Sequence, residues 1–240
     1  MKLIIILLIF IIVISIFFAI LSNSIYENFE YNKDVDVDYL VIHIRNSEER
    51  YANILKNQEK LKQNIDIFDA VVGKNLDLNN LKMFDDNLVL NFKYNYINEI
   101  GCYLSHFMLI KSIENTTGYT VAFEDDFCIL TDDLDNQIRD IIRKVDVDFD
   151  ILFLGNLNDN HSENLIDEVY YVDKSTPLWG TQAYLINNKN AGKIYDKLLN
   201  LNEAIDNKYK ALIDSGELNG LTIFPISVGQ VGEKIKSQIR

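Results

Sequence analysis

The chain has 240 residues, of which 48% are hydrophobic, 11% aromatic and 25% charged. This composition excludes a disordered or linker-rich protein, and the length allows one sizeable globular domain with a short leader. The formal net charge of −13 excludes nucleic acid as a partner, and an anionic ligand would require a bound cation to reverse the local field.

The first two dozen residues differ from the rest of the chain. Residues 3–21 are apolar except for Ser15, and at about 1.5 Å per residue they match the roughly 30 Å hydrocarbon core of a bilayer. The run is longer than the apolar core of a secretory signal peptide, although small residues at 22–24 leave cleavage open as an alternative. We therefore expect a transmembrane signal anchor over residues 1–22.

Charges on either side of the apolar run predict the orientation of the chain. Lys2 precedes the run, whereas Glu27, Glu30 and Asp34 follow it. This distribution favours a cytoplasmic N-terminus and a single-pass type II membrane protein. We expect the folded domain on the lumenal side of the ER or Golgi, and a bacterial inner membrane or a viral origin remains an open alternative.

After an acidic stalk over residues 23–38, a single domain over residues 39–240 shows alternating strand and helix patterns. Short apolar, β-branched runs predict buried strands, and apolar residues at helical spacing predict amphipathic helices. In chain order we predict strand 39–44, a helix opening at residue 48, strand 65–72, helix 99–114, strand 119–123, helix 134–144, strands 150–154, 169–172 and 182–186, and helix 189–201. This order predicts an α/β fold with a Rossmann-type, mainly parallel sheet that binds ligands at the carboxyl ends of its strands.

Three consecutive acids, Glu124, Asp125 and Asp126, directly follow the apolar strand at 119–123. They therefore lie where a doubly wound sheet holds its ligands. Carboxylate oxygens are the ligands that Mg²⁺ and Mn²⁺ prefer, so the cluster is a candidate cation site. The alternative is an ordinary exposed loop whose charges are screened by water.

The chain has two cysteines, Cys102 and Cys128. Two cysteines are too few for a disulfide framework, and their spacing is not that of a zinc site. We expect free thiols inside the core, and a bridge between the two is the open alternative.

Six short motifs follow one another along the domain. They are VIHIRNSEER at 41–50, DAVVG at 69–73, EIGCYLSH at 99–106, FEDD at 123–126, DILFLG at 150–155 and GTQAYLI at 180–186. In this order they resemble glycosyltransferase family 25, which includes bacterial lipooligosaccharide galactosyltransferases and procollagen galactosyltransferases. The third motif is the most specific, because it matches the family pattern almost letter for letter. Two positions depart from that pattern: Asn46 replaces an expected arginine, and Val72 replaces an acid.

The resemblance implies a GT-A-like fold and an inverting transfer of galactose or glucose from a nucleotide-sugar donor, a UDP-hexose, to a glycan or glycoprotein acceptor. It implies Mn²⁺ or Mg²⁺ as the cofactor, with Asp126 and Asp125 as metal ligands. It also implies that residues of the matched motifs bind the donor, namely Arg50, His106, Glu124, Asp125, Gly180 and Thr181. Asp206 resembles the acid of a further family segment and is the candidate catalytic base or second metal ligand; an exposed acid without a role is the alternative.

Two other functions are compatible with the same residues. The altered opening turn at Asn46 is compatible with a binding protein that has kept the transferase fold without its activity. The acidic cluster is also compatible with a membrane-anchored nucleotide-sugar hydrolase that uses water as the acceptor. Donor binding without turnover would identify the first, and release of free sugar in the absence of an acceptor would identify the second.

Overall fold

The structure, a computed structural model, describes four ranges of the chain: residues 14–17, 35–92, 96–158 and 160–231. The helices of the folded domain are α1 Glu48–Gln58, α2 Ile97–Ile113, α3 Leu134–Lys144, α4 Ala191–Leu198 and α5 Ile205–Asp214. Its strands are β1 Val37–His43, β2 Asp66–Asp69, β3 Val89–Leu90, β4 Tyr119–Glu124, β5 Phe127–Ile129, β6 Ile151–Gly155, β7 Asn164–Ile166, β8 Val169–Tyr171, β9 Ala183–Asn187, β10 Asn200–Leu201, β11 Gly220–Ile223 and β12 Val228–Gln230. Short 3₁₀ turns lie at Gly73–Asn75, Leu78–Met83 and Asn188–Asn190.

The chain divides into two compact units, residues 1–35 and residues 36–240. In the first unit the structure describes a helical turn at 14–17 and Val35. The rest of the predicted anchor, and the predicted stalk up to residue 34, lie outside the described residues. Within the described residues, no helix combines the length and the apolar character needed to cross a membrane.

An eight-stranded sheet with the order β2-β1-β4-β9-β6-β11-β8-β7 forms the centre of the domain. The sheet is mixed, so the prediction of a mainly parallel sheet was wrong. β1 is parallel to β2 and β4, and β6 is parallel to β11, whereas β9 is antiparallel to both of its neighbours. The physical reason is the connection from β6 to β9, whose described residues form the β7–β8 hairpin instead of the helix that a parallel crossover usually requires.

The predicted elements correspond to observed ones with shifted ends. β1 begins at Val37, inside the predicted stalk, and the predicted strand 65–72 is reduced to β2. The predicted helix 189–201 is divided into a 3₁₀ turn, α4 and the short strand β10. Sequence reasoning missed α5 and β11, which follow it.

Helix α2 packs in the main hydrophobic core. Its residues Ile100, Tyr103, Leu104 and Phe107 have no exposed surface, and they share a cluster with Tyr184 of β9. The middle strands of the sheet are buried along almost their whole length. A continuous apolar run is the expected sequence for such strands, which is why periodicity located them.

The parallel pairing of β1 with β4 positions the acidic cluster. Ile42 lies opposite Glu124 in the register. Because the carboxyl ends of parallel strands meet at one edge of a sheet, His43 and the loop at 124–126 reach the same edge. The following helix α1 starts at that edge and lies beside the loop.

Two glycines, Gly101 in α2 and Gly73 in the loop after β2, allow the helix and the loop to approach closely. A Cβ atom on Gly101 would lie 2.7 Å from both Val71 O and Gly73 N. We expect Gly101→Ala to lower the free energy of unfolding by about 1–3 kcal/mol, because the crowded atoms belong to backbone that must move. Gly192 in α4 is the matched control: its Cβ would meet only the Glu114 side chain, at 3.4 Å.

Gly192→Ala is expected to raise the free energy of unfolding by roughly 0.5–1 kcal/mol, since alanine is the better helix former. Chemical denaturation of both variants measures the two changes. Equal effects of the two substitutions would contradict the close contact at Gly101.

Candidate active site

Asp125 is held in a buried ion-pair network at the carboxyl end of β4. Arg50, in the first turn of α1, donates from Nη1 to Asp125 Oδ1. His43 Nδ1 lies 2.9 Å from Asp125 Oδ2, which also accepts from the Ile44 N–H at 3.3 Å. A carboxylate that is only 3% exposed is stable when it is paired and hydrogen-bonded in this way. Both oxygens of Asp125 thus hold the acidic loop in position. The role of Asp125 as a metal or donor ligand stays a prediction.

Two asparagines of α1 hold the backbone of the same loop. Asn53 Nδ2 donates to the carbonyl oxygens of Asp125 and Phe127, at 3.0 and 2.9 Å. Asn57 Oδ1 accepts from the N–H of Ile129 at 2.9 Å. Sequence reasoning missed both residues, although their spacing of four places them on one helix face. These bonds fix the carboxylates of the loop relative to α1.

Asp126 carries a buried oxygen without a hydrogen-bond partner. Its Oδ2 accepts from Gln230 Nε2 at 3.0 Å and lies 3.4 Å from Arg50 Nη2, whereas Oδ1 has no partner among the described residues. Burial, followed by the negative charge of Glu124, raises the pKa of Asp126 to about 6. An unsatisfied buried carboxylate oxygen is rare and fits a ligand of a hard cation such as Mn²⁺ or Mg²⁺. Asp126 therefore fits the Mn²⁺ or Mg²⁺ that the acidic motif at 123–126 implies.

Glu124 belongs to a second cluster, on the side of α2 and β9. Thr181 Oγ1 donates to Glu124 Oε1 at 2.5 Å, and His106 Nε2 lies 3.5 Å from the same oxygen. The other ring nitrogen of His106 is bonded to the hydroxyl of Tyr184 at 2.7 Å. Burial alone would raise the pKa of Glu124, but the contacts with His106 and Thr181 outweigh it and leave the pKa below its usual value. Glu124 is thus an anion that is held in place.

Cys102 lies one turn before His106 on α2. One ligand atom each from Cys102, His106 and Glu124 lies within 4.8 Å of the others. Burial, followed by the charges of Glu124 and Asp206, raises the pKa of the Cys102 thiol well above its usual range. Both cysteines are unbridged and partly buried. The i, i+4 spacing of Cys102 and His106 was the signal for this contact, and sequence reasoning did not use it.

Asp206 is hydrogen-bonded to Gly180, the residue that precedes Thr181. The N–H of Gly180 donates to Asp206 Oδ2 at 3.2 Å, and the N–H of Asn207 donates to Oδ1 at 2.8 Å. Asp206 lies in the first turn of α5, where the helix dipole favours a negative charge. Gly180 has φ +87°, a conformation that glycine adopts without strain. Asp206 is therefore a half-buried carboxylate that faces the region next to Thr181.

Two cavities open on these carboxylates. The main cavity has a volume of about 790 Å³ and is lined by, among others, Arg45, Arg50, Lys74, His106 and the acids at 124–126. The side cavity has a volume of about 580 Å³ and is lined by, among others, Glu99, Trp179, Gly180, Thr181 and Asp206. Cys102, Glu124 and Gln230 line both cavities. Glu124 thus lies at the junction of the two cavities, between a ligand in one and a ligand in the other.

The opening turn after β1 supplies the basic rim of the main cavity. Arg45 forms a bidentate pair with Asp69 at 2.5 Å, and both side chains are largely exposed. Asn46 has φ +72°, a left-handed conformation that asparagine tolerates better than most residues. Both Arg45 and Asn46 line the main cavity. The departure from the family pattern therefore leaves an arginine at the cavity, one position earlier in the chain.

The structure brings the predicted site residues together in three linked groups. One group pairs Arg50 with Asp125 and Asp126, the second joins Glu124 to His106 and Thr181, and the third joins Gly180 to Asp206. The residues that sequence reasoning missed are Cys102, His43, Asn53, Asn57, Lys74, Trp179 and Gln230. Gln230 had no detectable signal, because it reaches Asp126 from 104 positions away.

A mixed α/β sheet with buried acids and two ligand-sized cavities at strand ends defines an enzyme-like, ligand-binding protein. The model of the family described as "Glycosyltransferase family 25 (LPS biosynthesis protein)" matches residues 37–209. The chain therefore belongs to this family. The resemblance inferred from the six motifs is confirmed. The acidic cluster and the motif residues thus lie within the part of the chain that matches the family.

A solved structure similar to the chain is the apo form of the glycosyltransferase GlyE from Streptococcus pneumoniae TIGR4. The two are 11% identical with a TM-score of 0.39, and the match covers 79% of this chain and 45% of that one. The chain therefore spans less than half the length of that solved structure. Comparison with curated proteins gave no match.

Proposed function

We propose that the domain has a GT-A-like fold and transfers a hexose, galactose or glucose, from a UDP-hexose to a glycan or glycoprotein acceptor with inversion at the anomeric carbon. The observation that carries this proposal is the meeting of two cavities at Glu124. A volume of about 790 Å³ lies within the usual range of small-molecule sites, about 300–1,000 Å³. The main cavity is assigned to the donor and the side cavity to the acceptor.

The donor side combines basic side chains with a place for a cation. Arg45, which is paired with Asp69, and Lys74 line the main cavity and are the proposed contacts of a diphosphate, and Arg50 is committed to Asp125 and Asp126. Asp126 Oδ1 is the proposed ligand of Mn²⁺ or Mg²⁺. When bound, this ion neutralises the charge that develops on the departing diphosphate. His106 and Thr181 hold Glu124, and Asp125 keeps the loop in register with α1.

The acceptor side contains the proposed base. Asp206 lines the side cavity together with Thr181 and Glu124. In a single displacement, the acceptor hydroxyl oxygen bonds to the anomeric carbon while the bond to the diphosphate breaks, and the hydroxyl proton passes to Asp206. This route needs a base but no enzymic nucleophile, so the configuration at the anomeric carbon inverts.

The product identifies the reaction. We expect the purified chain to consume UDP-galactose or UDP-glucose in a panel of nucleotide sugars, and an α-linked donor to give a β-linked product. Proton NMR of the first-formed product measures the anomeric coupling. An α-linked product would contradict direct displacement, and free hexose alone would identify a hydrolase. Donor binding without turnover, seen by calorimetry, would identify an inactive binding protein.

Residues 1–22 are the proposed membrane anchor, because the apolar run matches the thickness of a bilayer. The type II orientation is proposed on the charges that flank this run. The chain should therefore stay in the membrane pellet during alkaline carbonate extraction, and a version that starts at residue 35 should be released. Extraction of the full-length chain would contradict the anchor.

A further inference from the structure

We propose that Cys102, His106 and Glu124 form a binding site for a divalent cation of the zinc class, separate from the hard-cation position at Asp126. The three side chains come from one face of α2 and from the end of β4. One ligand atom of each lies within 4.8 Å of the others, so a single ion can contact all three after small side-chain movements.

The distance between two of the ligand atoms already fits a zinc site. Zinc binds nitrogen and oxygen at about 2.0–2.2 Å in a tetrahedron, which places two such atoms about 3.4 Å apart. His106 Nε2 and Glu124 Oε1 are 3.5 Å apart. The thiol of Cys102 completes one face of such a tetrahedron, because it lies one helical turn from His106 on the same side of α2.

His106 Nε2 lacks a strong partner, although its ring is 1% exposed. Its two polar contacts, with Thr181 Oγ1 and Glu124 Oε1, are both 3.5 Å long, whereas ordinary bonds of this kind are about 2.9–3.0 Å. The opposite ring nitrogen is bonded to Tyr184 OH at 2.7 Å. An imidazole anchored through one nitrogen, with the other aimed at a carboxylate and a thiol, has the arrangement of a metal-binding histidine.

Thr181 supports the carboxylate in the same way. Its hydroxyl donates to Glu124 Oε1 at 2.5 Å, which fixes that oxygen and leaves it a further lone pair. Metal-binding carboxylates and imidazoles are usually oriented by such outer contacts. The site therefore has an outer shell, formed by Thr181 and Tyr184, as well as three ligands.

The chemistry of the ligand set selects the class of ion. One sulfur, one nitrogen and one oxygen suit Zn²⁺ or Co²⁺, whereas Mg²⁺ and Mn²⁺ prefer oxygen ligands. Cys102 and Glu124 line both cavities, so a ligand entering from either one can reach an ion held by these side chains. Three protein ligands with an open position are typical of reactive rather than structural zinc sites. Cation binding by these three side chains does not depend on sugar transfer.

Cobalt absorption tests the site directly. The full-length chain, purified in detergent and freed of metal by a chelator, should bind Co²⁺ and develop a near-ultraviolet sulfur-to-cobalt charge-transfer band. Zinc should displace the cobalt and abolish the band, whereas Mn²⁺ should not. Absence of the band in the folded wild-type chain would overturn the proposal.

The second cysteine provides the matched control. Cys102→Ser should remove the band and Cys128→Ser should keep it, with circular dichroism showing that both variants are folded. Tyr184→Phe, which removes only the hydroxyl that orients His106, should weaken cobalt binding about 10–100-fold. A band that survives Cys102→Ser, or one that is lost only with Cys128→Ser, would overturn the assignment. If Cys102→Ser does not fold, Cys102→Ala and Tyr184→Phe make the same distinction.

Discussion

Asp126→Asn is expected to reduce hexose transfer roughly 10²–10³-fold while leaving the fold intact, because the substitution removes the charge of the proposed cation ligand. The asparagine keeps one oxygen for Gln230, so the contact between the acidic loop and β12 survives. Steady-state transfer rates at saturating Mn²⁺ measure the effect. Asp132→Asn, which changes an exposed acid of the same region, is the control and should be neutral.

Asp126→Asn is also expected to change the free energy of unfolding in the absence of metal. Burial raises the pKa of Asp126 to about 6, above its unfolded value of about 3.8. At pH values between these two pKa values, Asp126 is protonated in the folded state and ionised in the unfolded state. The free energy of unfolding therefore falls as the pH rises from about 4 to 6. Asp126→Asn mimics the protonated form, so in excess chelator it should exceed the wild type by on the order of 1–3 kcal/mol above pH 6. Near pH 4 the two should be equal.

Two results would contradict this account of Asp126. Full transfer activity of the wild type in excess chelator would remove the metal requirement. A variant that is less stable than the wild type at pH 7 without metal would show that the carboxylate is satisfied in the folded protein. Thermal unfolding at several pH values distinguishes the second case from simple misfolding.

Asp206→Asn is expected to lower kcat about 10²–10⁴-fold, the usual contribution of a general base. KM for the nucleotide sugar should change little, because Asp206 lines the side cavity and not the main one. The fold should survive, since the asparagine oxygen still accepts a backbone N–H. Separate measurement of kcat and of donor KM tests the assignment.

The control for Asp206 is Asp196→Asn, an exposed acid of α4 that lines neither cavity. This variant should have wild-type kcat. Unchanged kcat in Asp206→Asn would exclude it as the base and leave Glu124, the carboxylate at the junction of the cavities, as the next residue to test. A rise in donor KM alone would instead assign Asp206 to substrate binding.

The sequence by itself determined the class of the fold, the family and the place of the acidic cluster. Apolar runs locate strands because burial on a sheet requires them, and an acid directly after such a run must lie at its carboxyl end. The six motifs supplied the family and named Arg50 and His106, and a further family segment named Asp206, before any geometry was known. All of this information is local, within one strand, one helix or one turn.

Only the tertiary structure decided which of these residues meet. His43 and Asp125 are 82 positions apart, and His106 and Tyr184 are 78 apart. Such contacts depend on the order of the strands, and the antiparallel β9 places Tyr184 and Thr181 next to α2 and β4. The alternation of strands with helices predicted a mainly parallel sheet, because hydrophobic periodicity carries no information on strand direction. For the same reason sequence reasoning missed the cluster of Cys102 with Glu124. The long-range packing that defines the cavities is therefore also the basis of the roles proposed for the individual carboxylates.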